Sequence, residues 1–147
     1  MQKQQDTSGV HVWLVLWKAF RALAVRAEES LNLSRTRLGD SDFRVLEALL
    51  HKGPLPVNTV GPKVGLTPGS ISVAVDRLEK AGLAKRKNTD DRRVRLVELT
   101  PKGRTLITKT FREHAAAMEE TAGVLSEEER RMLLQLLKKL GKGGEDK

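Results

Sequence analysis

The sequence predicts a mainly α-helical chain that carries one small β-hairpin, and three observations predict it. Apolar residues recur at steps of three and four over long stretches, above all Trp13, Trp17, Phe20, Ala24, Ala27 and Leu31 near the start and Ile107, Phe111, His114, Met118 and Leu125 near the end. Two runs read as strands, Leu83 to Lys87 and Val94 to Leu99, with Asn88-Thr89-Asp90-Asp91 as the turn between them. Helix punctuation divides the remainder: Thr67-Pro68, Thr100-Pro101 and Ser126 with Glu129 are starts, while Gly53 and Gly82 are stops.

At 147 residues the chain suits a single domain, residues 1–147, with one packed core. Its 39% hydrophobic and 31% charged residues fit a globular protein, and the longest apolar run, Val12 to Trp17, falls far short of the roughly 20 residues a bilayer needs. Lys3 ahead of that run and Ala22-Leu23-Ala24 behind it resemble a secretion leader. Lys18 and Arg21 interrupt the apolar region, however, and the helical pattern continues past Ala24, so a cytoplasmic location is expected. The 27 Lys and Arg against 19 Asp and Glu leave a net charge of +8, which makes a polyanion the expected partner, nucleic acid ahead of an anionic membrane. With no cysteine, disulfide scaffolds, cysteine zinc sites and thiol chemistry are excluded.

The first helix should run from about Val10 to Leu31. Its first half is apolar nearly all round, through Val12, Leu14, Val15 and Leu16 as well as the aromatic stripe, which predicts a segment wedged between two bodies, one of them a second subunit. Leu38 to Ser41 reads as a loop ending in an N-cap, and Phe43, Leu46, Leu49 and Leu50 as a short amphipathic helix stopped by Lys52-Gly53-Pro54. From Val57 to Gly65 a second short helix is troubled by Pro62. A cap at Asn58 puts the proline where a helical N–H is needed, a cap at Thr59 puts it in the first turn, and little more than one turn is expected.

The next helix, capped by Thr67 and running to Ala81, should bury Ile71, Ala74, Val75 and Leu78. Gly69, Ser72, Val73, Asp76 and Lys80 then point away, with Ser70 and Arg77 on the flank. In the hairpin, Lys85, Arg86, Lys87, Arg92, Arg93 and Arg95 outweigh Asp90 and Asp91, so eleven residues carry +4 of the chain's +8. A second long helix should reach about Val124, and a last one should turn Met132, Leu133, Leu136, Leu137 and Leu140 inward. The leader Met1 to Gly9 is polar, and the tail Gly141 to Lys147 is expected to be disordered.

Three helices followed by a two-stranded hairpin make a winged helix-turn-helix, here at about 38–99. Helices at about 10–31 and 101–140 flank it as dimerisation elements. The segment Asp91-Arg92-Arg93-Val94-Arg95-Leu96-Val97-Glu98-Leu99-Thr100 fits the wing pattern D-x-R-x-x-x-V-x-L-T at every fixed position. Ser41-Asp42-Phe43 with Val45-Leu46, the run Asp76 to Leu83, and Leu99-Thr100-Pro101-Lys102-Gly103 add further matches. Over roughly residues 10–140 the chain thus resembles the MarR (multiple antibiotic resistance regulator) family. His11 to Phe20 and Gly69-Ser70-Ile71-Ser72 are similar to its phenol- and quinone-responsive branch, and Gly61-Pro62 departs from the family's plain helix formers. The resemblance implies a homodimeric, ligand-responsive repressor that binds a pseudo-palindromic operator.

Duplex DNA ranks ahead of RNA or single strands, because the basic segment Lys85 to Arg95 holds no aromatic on which a base could stack. Arg93 is the candidate for the narrow minor groove, with Asp91 orienting its guanidinium; the alternative is an ordinary exposed turn pair. Arg92, Arg95, Lys85 and Arg86 suit phosphates. On the third helix Gly69 permits close approach, Ser70 and Ser72 suit base edges or phosphates, Val73 a thymine methyl, and Arg77 guanine or phosphate. Alternatively Ser70 caps its own helix and Arg77 pairs with surface neighbours. Trp13, Trp17, Phe43 and Phe111 are candidates for a cavity between the long helices and the winged module, where the resemblance implies a small aromatic effector and His11 suits a phenol. The competing reading is core and dimer packing.

No catalytic, cofactor or metal site is expected. His11, His51 and His114 are scattered, Gly69-Ser70 lacks the G-x-S-x-G frame, no Walker lysine follows Gly61 to Gly69, and Glu127 to Glu129 is a helix start. Two further readings compete with the regulator: an architectural DNA binder without an effector, and a winged-helix protein-interaction module.

Overall fold

The structure, a computed structural model, describes residues 6–33 and 38–143. In chain order these form α1 (Gly9–Leu33), α2 (Asp40–Lys52), β1 (Leu55–Pro56), α3 (Val57–Lys63), α4 (Pro68–Lys80), β2 (Ala84–Asn88), β3 (Arg95–Leu99), α5 (Pro101–Ala122) and α6 (Glu127–Lys142). The predicted class holds: six helices and a small antiparallel sheet.

The core lies where α2, α4, the sheet and α5 meet. Phe43, Val45, Leu46 and Leu49 come from α2, and α4 buries Ile71, Ala74, Val75 and Leu78, the four expected from its periodicity. Val60, Leu83, Ala84, Val97 and Ile107 close the cluster. Each such aliphatic side chain contributes about 1.5–3 kcal/mol on leaving water. From α1, Ser30 and Leu31 at its C-terminal end are buried, and the rest of the helix stands in the open apart from half-covered Leu16 and Ala27.

Four expectations need correction. The sheet has three strands in the order β1-β3-β2, because Leu55 pairs with Val97 and Pro56 with Leu96 beside the expected hairpin. A two-residue edge strand that contains proline offers no alternation to read. Helix α3 starts at Val57 directly after Pro56, not after Asn58 or Thr59, and spans seven residues with Pro62 inside it. Its far end is closed around the proline, Val64 N–H donating to Val60 O at 3.1 Å and Leu66 N–H to Gly61 O at 2.8 Å. Gly61 is explained by proximity: a Cβ there would stand 3.3 Å from Ile71 Cγ2, so glycine lets α3 lie close against α4.

The third correction concerns α6. Its capping box forms as expected, but Met132, Leu133, Leu136, Leu137 and Leu140 do not face inward; they are 39–59% exposed, and no residue of α6 is buried. Nothing among the described residues covers them. Fourth, the helix continues through Gly141 and Lys142, where disorder was expected, with Gly143 N–H still donating to Lys139 O at 3.2 Å. Residues 144–147 of that tail and 1–5 of the leader lie outside the described residues. A smaller shift occurs at α2, which starts at Asp40 behind Gly39 instead of after a side-chain cap.

Helix α4 ends where α5 begins. Gly82, at φ +71°, turns the chain, Thr100 Oγ1 donates to its carbonyl at 2.6 Å, and Thr100 N–H donates to Leu83 O at 3.1 Å. Lys102 Nζ reaches Ala81 O at 3.0 Å. Gly103 packs so tightly on this turn that an added Cβ would stand 1.8 Å from Leu83 O. Backbone cannot yield as a side chain does, so Gly103→Ala is expected to destabilise the fold by about 3 kcal/mol, the upper range for overpacking. Urea unfolding checks this, and near-native stability would mean that α5 can slide off the turn freely.

Candidate nucleic-acid interface

Thr67 caps α4 as expected, its Oγ1 accepting the Ser70 N–H at 3.2 Å and donating to Ser70 Oγ at 2.9 Å. Ser70 is therefore not the cap of its own helix. Beyond it Gly69, Ser72, Val73, Asp76 and Arg77 are exposed, and open space surrounds the position a Cβ would take at Gly69. This end of the helix is narrow, which is what entry into a groove requires.

The wing stands at the side of α4. Beta pairing sets Ala84 opposite Leu99 and Asn88 opposite Arg95, leaving residues 89–94 as the tip. Thr89 Oγ1 spans the tip to Asp91 O (2.8 Å) and Val94 O (2.9 Å), and Asp91 Oδ1 accepts the Arg93 N–H at 2.9 Å. Asp91 thus orders the Arg93 backbone rather than its guanidinium, because the tight turn brings the amide to the carboxylate first. Lys87, Arg92, Arg93 and Arg95 are exposed and, among the described residues, have no carboxylate partner. A groove of about 670 Å³ separates wing from helix, lined in part by Asn58, Ser72, Asp76, Arg92, Arg93 and Arg95. The sequence-predicted groups of α4 and of the wing tip therefore share one face.

Two predicted DNA contacts are engaged elsewhere. Arg77 Nη2 lies 2.7 Å from Asp42 Oδ1 and its Nε 3.2 Å from the same oxygen, so the α4 arginine is held by the first turn of α2. The hydrogen bonds and charge of Asp42 raise its pKa above the usual arginine value. Arg86 is shared by Asp76 (2.8 Å) and Glu79, and Glu79 also accepts the Arg86 N–H at 2.7 Å. Burial works against its charge, but the hydrogen bonds and charges of the two carboxylates outweigh it and the pKa is raised. Arg86 ties the wing to α4 instead of presenting itself to phosphate. Lys85 is half-engaged, 3.2 Å from its cross-strand neighbour Glu98. Glu79 and Asp76 stood on the right helix face in the sequence, whereas Asp42, 35 positions from Arg77, gave no local sign of its role.

The aromatic candidates do not converge. Trp13 and Trp17 are exposed on α1, with Arg21 over the Trp17 ring at 4.8 Å, and His11 is exposed 3.9 Å from Asp6. Phe43 is buried against His114, ring centroids 4.9 Å apart, while Phe111 meets His51 edge-on at 4.8 Å. The first half of the helical stripe on α1 extends past the body of the chain, so Trp13 and Trp17 line none of its larger clefts. An apolar cleft does open between α1 and α2, about 770 Å³ in volume, lined by Phe20, Leu23, Ala27, Leu31, Arg44 and Met118 among others. Its rim includes Arg44, which is paired with Asp40 and donates through Nη1 to Val64 O at 2.8 Å, and Glu28 lines it as well. His114 bonds Ser30 Oγ through Nδ1 at 2.8 Å, and among the described residues no cluster suits a metal ion.

A capped helix carried on a helix-turn-helix frame beside a hairpin of free arginines is a surface made for duplex DNA, and proteins so built form the winged-helix class. A MarR family profile matches residues 32–94. The HTH-type transcriptional regulator MhqR of Bacillus subtilis strain 168 is 38% identical over 131 residues, 88% of this chain and 89% of that one. NadR, solved in complex with 4-hydroxyphenylacetate, aligns at 26% identity and a TM-score of 0.72, covering 97% of this chain and 99% of that one. AbsC, a MarR family transcriptional regulator from Streptomyces coelicolor, shares the fold at a TM-score of 0.85 and 20% identity, covering 99% and 100%. The chain belongs to the MarR family: it is a DNA-binding transcription regulator, not an enzyme.

Proposed function

We propose that the protein is a homodimeric repressor that binds a two-fold pseudo-palindromic operator and leaves it when a small aromatic molecule binds. The observation that carries this reading is the uncovered apolar surface of the long helices. Val10, Trp13, Leu14, Trp17 and Phe20 on α1, with Met132, Leu133, Leu136, Leu137 and Leu140 on α6, are all exposed. Contiguous apolar surface of that extent marks an interface, and a two-fold one supplies two copies of α4 and two wings. Half-sites one helical turn apart follow from that symmetry. Among the described residues no helix is long and apolar enough to cross a membrane, in keeping with a cytoplasmic regulator.

On this reading Arg93 enters the minor groove, Arg92 and Arg95 follow phosphates, and Gly69, Ser70, Ser72 and Val73 meet the major groove. The effector is a phenolic or quinone-like molecule, and its place is the cleft between α1 and α2 rather than the scattered aromatics. Support comes from the cleft's size, its largely apolar lining, and the aromatic acid bound by the related NadR. A ligand that favours a mismatched spacing of the two α4 helices by about 2–3 kcal/mol lowers DNA affinity some thirty- to hundredfold.

Leu136→Glu is expected to weaken association and folding together, read by sedimentation velocity and urea unfolding; a folded wild-type monomer at micromolar concentration would remove the dimer. At physiological ionic strength Arg93→Ala should lose more operator affinity than Lys85→Ala, since Lys85 already has a partner. Equal losses in a duplex titration would make Arg93 one phosphate contact among several. For the switch, a panel of phenols, quinones and 4-hydroxyphenylacetate is titrated into the protein–operator complex and release is followed by anisotropy. At least one is expected to release the duplex from the wild type and fail on a Leu23→Trp variant that fills the cleft. Failure of the whole panel would favour the architectural DNA binder.

A further inference from the structure

Three carboxylates stand around α4 and occupy two arginines of the DNA-facing side. Asp42 is 15% exposed, and Arg77 grips it through Nε and Nη2 while Nη2 also reaches Ser41 Oγ at 3.3 Å. Swinging Arg77 out to a base would leave a largely covered carboxylate unpaired, a far larger loss than breaking an exposed pair. On the opposite flank Arg86, 21% exposed, is divided between Asp76 and Glu79. That arrangement pins β2 to α4 and neutralises Asp76, which would otherwise face the phosphates. Between the two clamps the outer face of α4 holds Gly69, Ser70, Ser72 and Val73, and the exposed Lys80 lies at the far, C-terminal end of the helix. Val73 is 54% exposed and borders a shallow hollow with Ser41, Gly69, Ser70 and Arg77.

We propose that α4 reads its half-site without a charged side chain: Val73 seats a thymine methyl, Ser70 and Ser72 bond the neighbouring base edges, and Arg77 and Arg86 are positioning residues. The inference rests on the DNA reading above and specifies its chemistry. A guanidinium reads guanine with the same two-pronged fork that Arg77 already spends on Asp42. The thymine methyl is the apolar feature of the major groove, and a β-branched side chain with one preferred helical rotamer presents methyl groups to it without an ordering cost. Serine hydroxyls both donate and accept, so they hold the helix in place and discriminate little. Base discrimination by α4 is thereby concentrated on the thymine beneath Val73.

The test begins with duplexes enriched by the wild-type protein from a randomised pool at fixed salt. Each thymine of the enriched site is replaced singly by deoxyuridine, which removes the methyl and nothing else. One position per half-site is expected to weaken binding about fourfold, the worth of one methyl group withdrawn from water, and the loss should vanish in Val73→Ser. Arg77→Gln and Asp42→Asn should weaken binding to the same extent, the double variant no further, with base preference and salt slope unchanged. Arg92→Gln, by contrast, should reduce the slope by about 0.9. The inference falls if no uracil substitution matters, if the loss persists in Val73→Ser, or if Arg77→Gln lowers the salt slope or relaxes preference at a G·C pair. The uracil scan uses the wild-type chain, so it decides the matter even where a variant fails to fold. A pool that yields no enriched duplex overturns the sequence-specific reading itself, and the inference with it.

Discussion

The joint between the recognition helix and the wing depends on one close contact, the first turn of α5 against the turn at Gly82 and Leu83. Gly103 admits the Leu83 carbonyl where any Cβ would collide, and Thr100 turns the same approach into two hydrogen bonds while capping α5. Those bonds satisfy carbonyls of the turn that follows α4. From this joint α5 runs on to bury Ile107, pack Phe111 against His51 of α2, and bring His114 between Phe43 of α2 and Ser30 of α1. Helix α4 itself packs against α2, α3 and β2, and α5 meets it through the turn at Gly82 and Leu83 while also contacting α1 and α2. On the proposed reading, a ligand in the α1–α2 cleft acts by favouring one packing of α5 over another, since close-packed interfaces switch rather than bend.

Charge is divided in the same economical way. A net +8 says that the protein favours polyanions, but it does not say which cations are free to meet one. Arg77 and Arg86 are spent on holding α4 to α2 and to the wing, whereas Arg92, Arg93 and Arg95, at and beside the tip, have no carboxylate partner among the described residues. Paired arginines fix geometry and free ones supply affinity, with little sequence preference in the second group. The separation matters because a wing loosely tied to α4 would let helix and hairpin seek their grooves independently, losing the gain from prepaid orientation.

Local signals were legible and distant ones were not. Thr67-Pro68, Thr100-Pro101 and the Ser126–Glu129 box mark their helices within four residues of chain, and each forms as its residues dictate. The buried face of α4 is equally legible, since its period is long enough to count. Strand β1 is too short for any period, and α3 depends on Gly61 lying against Ile71, a fact of tertiary packing that made the proline look more disruptive than it is. The interface splits along the same line. The tip arginines were identified by their spacing, but the pairing of Arg77 with Asp42 appears only when α2 and α4 cross. The aromatic candidates divide for a related reason: within one chain Trp13 and Trp17 stand exposed on α1 while Phe43 is buried against His114, a separation that composition does not reveal.

Helix α6 shows how incomplete one chain is. Sixteen residues with a capping box and acidic side chains at the N-terminus have good local reasons to be helical, yet a helix of that length is marginal in water without a covered face. Its leucines find no cover among the described residues, and the apolar first half of α1 stands equally open. In the proposed dimer the two deficits answer each other, and ordering these helices becomes part of association rather than a step before it. The spacing of the two α4 helices is then fixed by the surface that completes the fold. On that reading operator geometry and stability draw on the same apolar contacts, and a small molecule at their margin would reach the DNA without touching it.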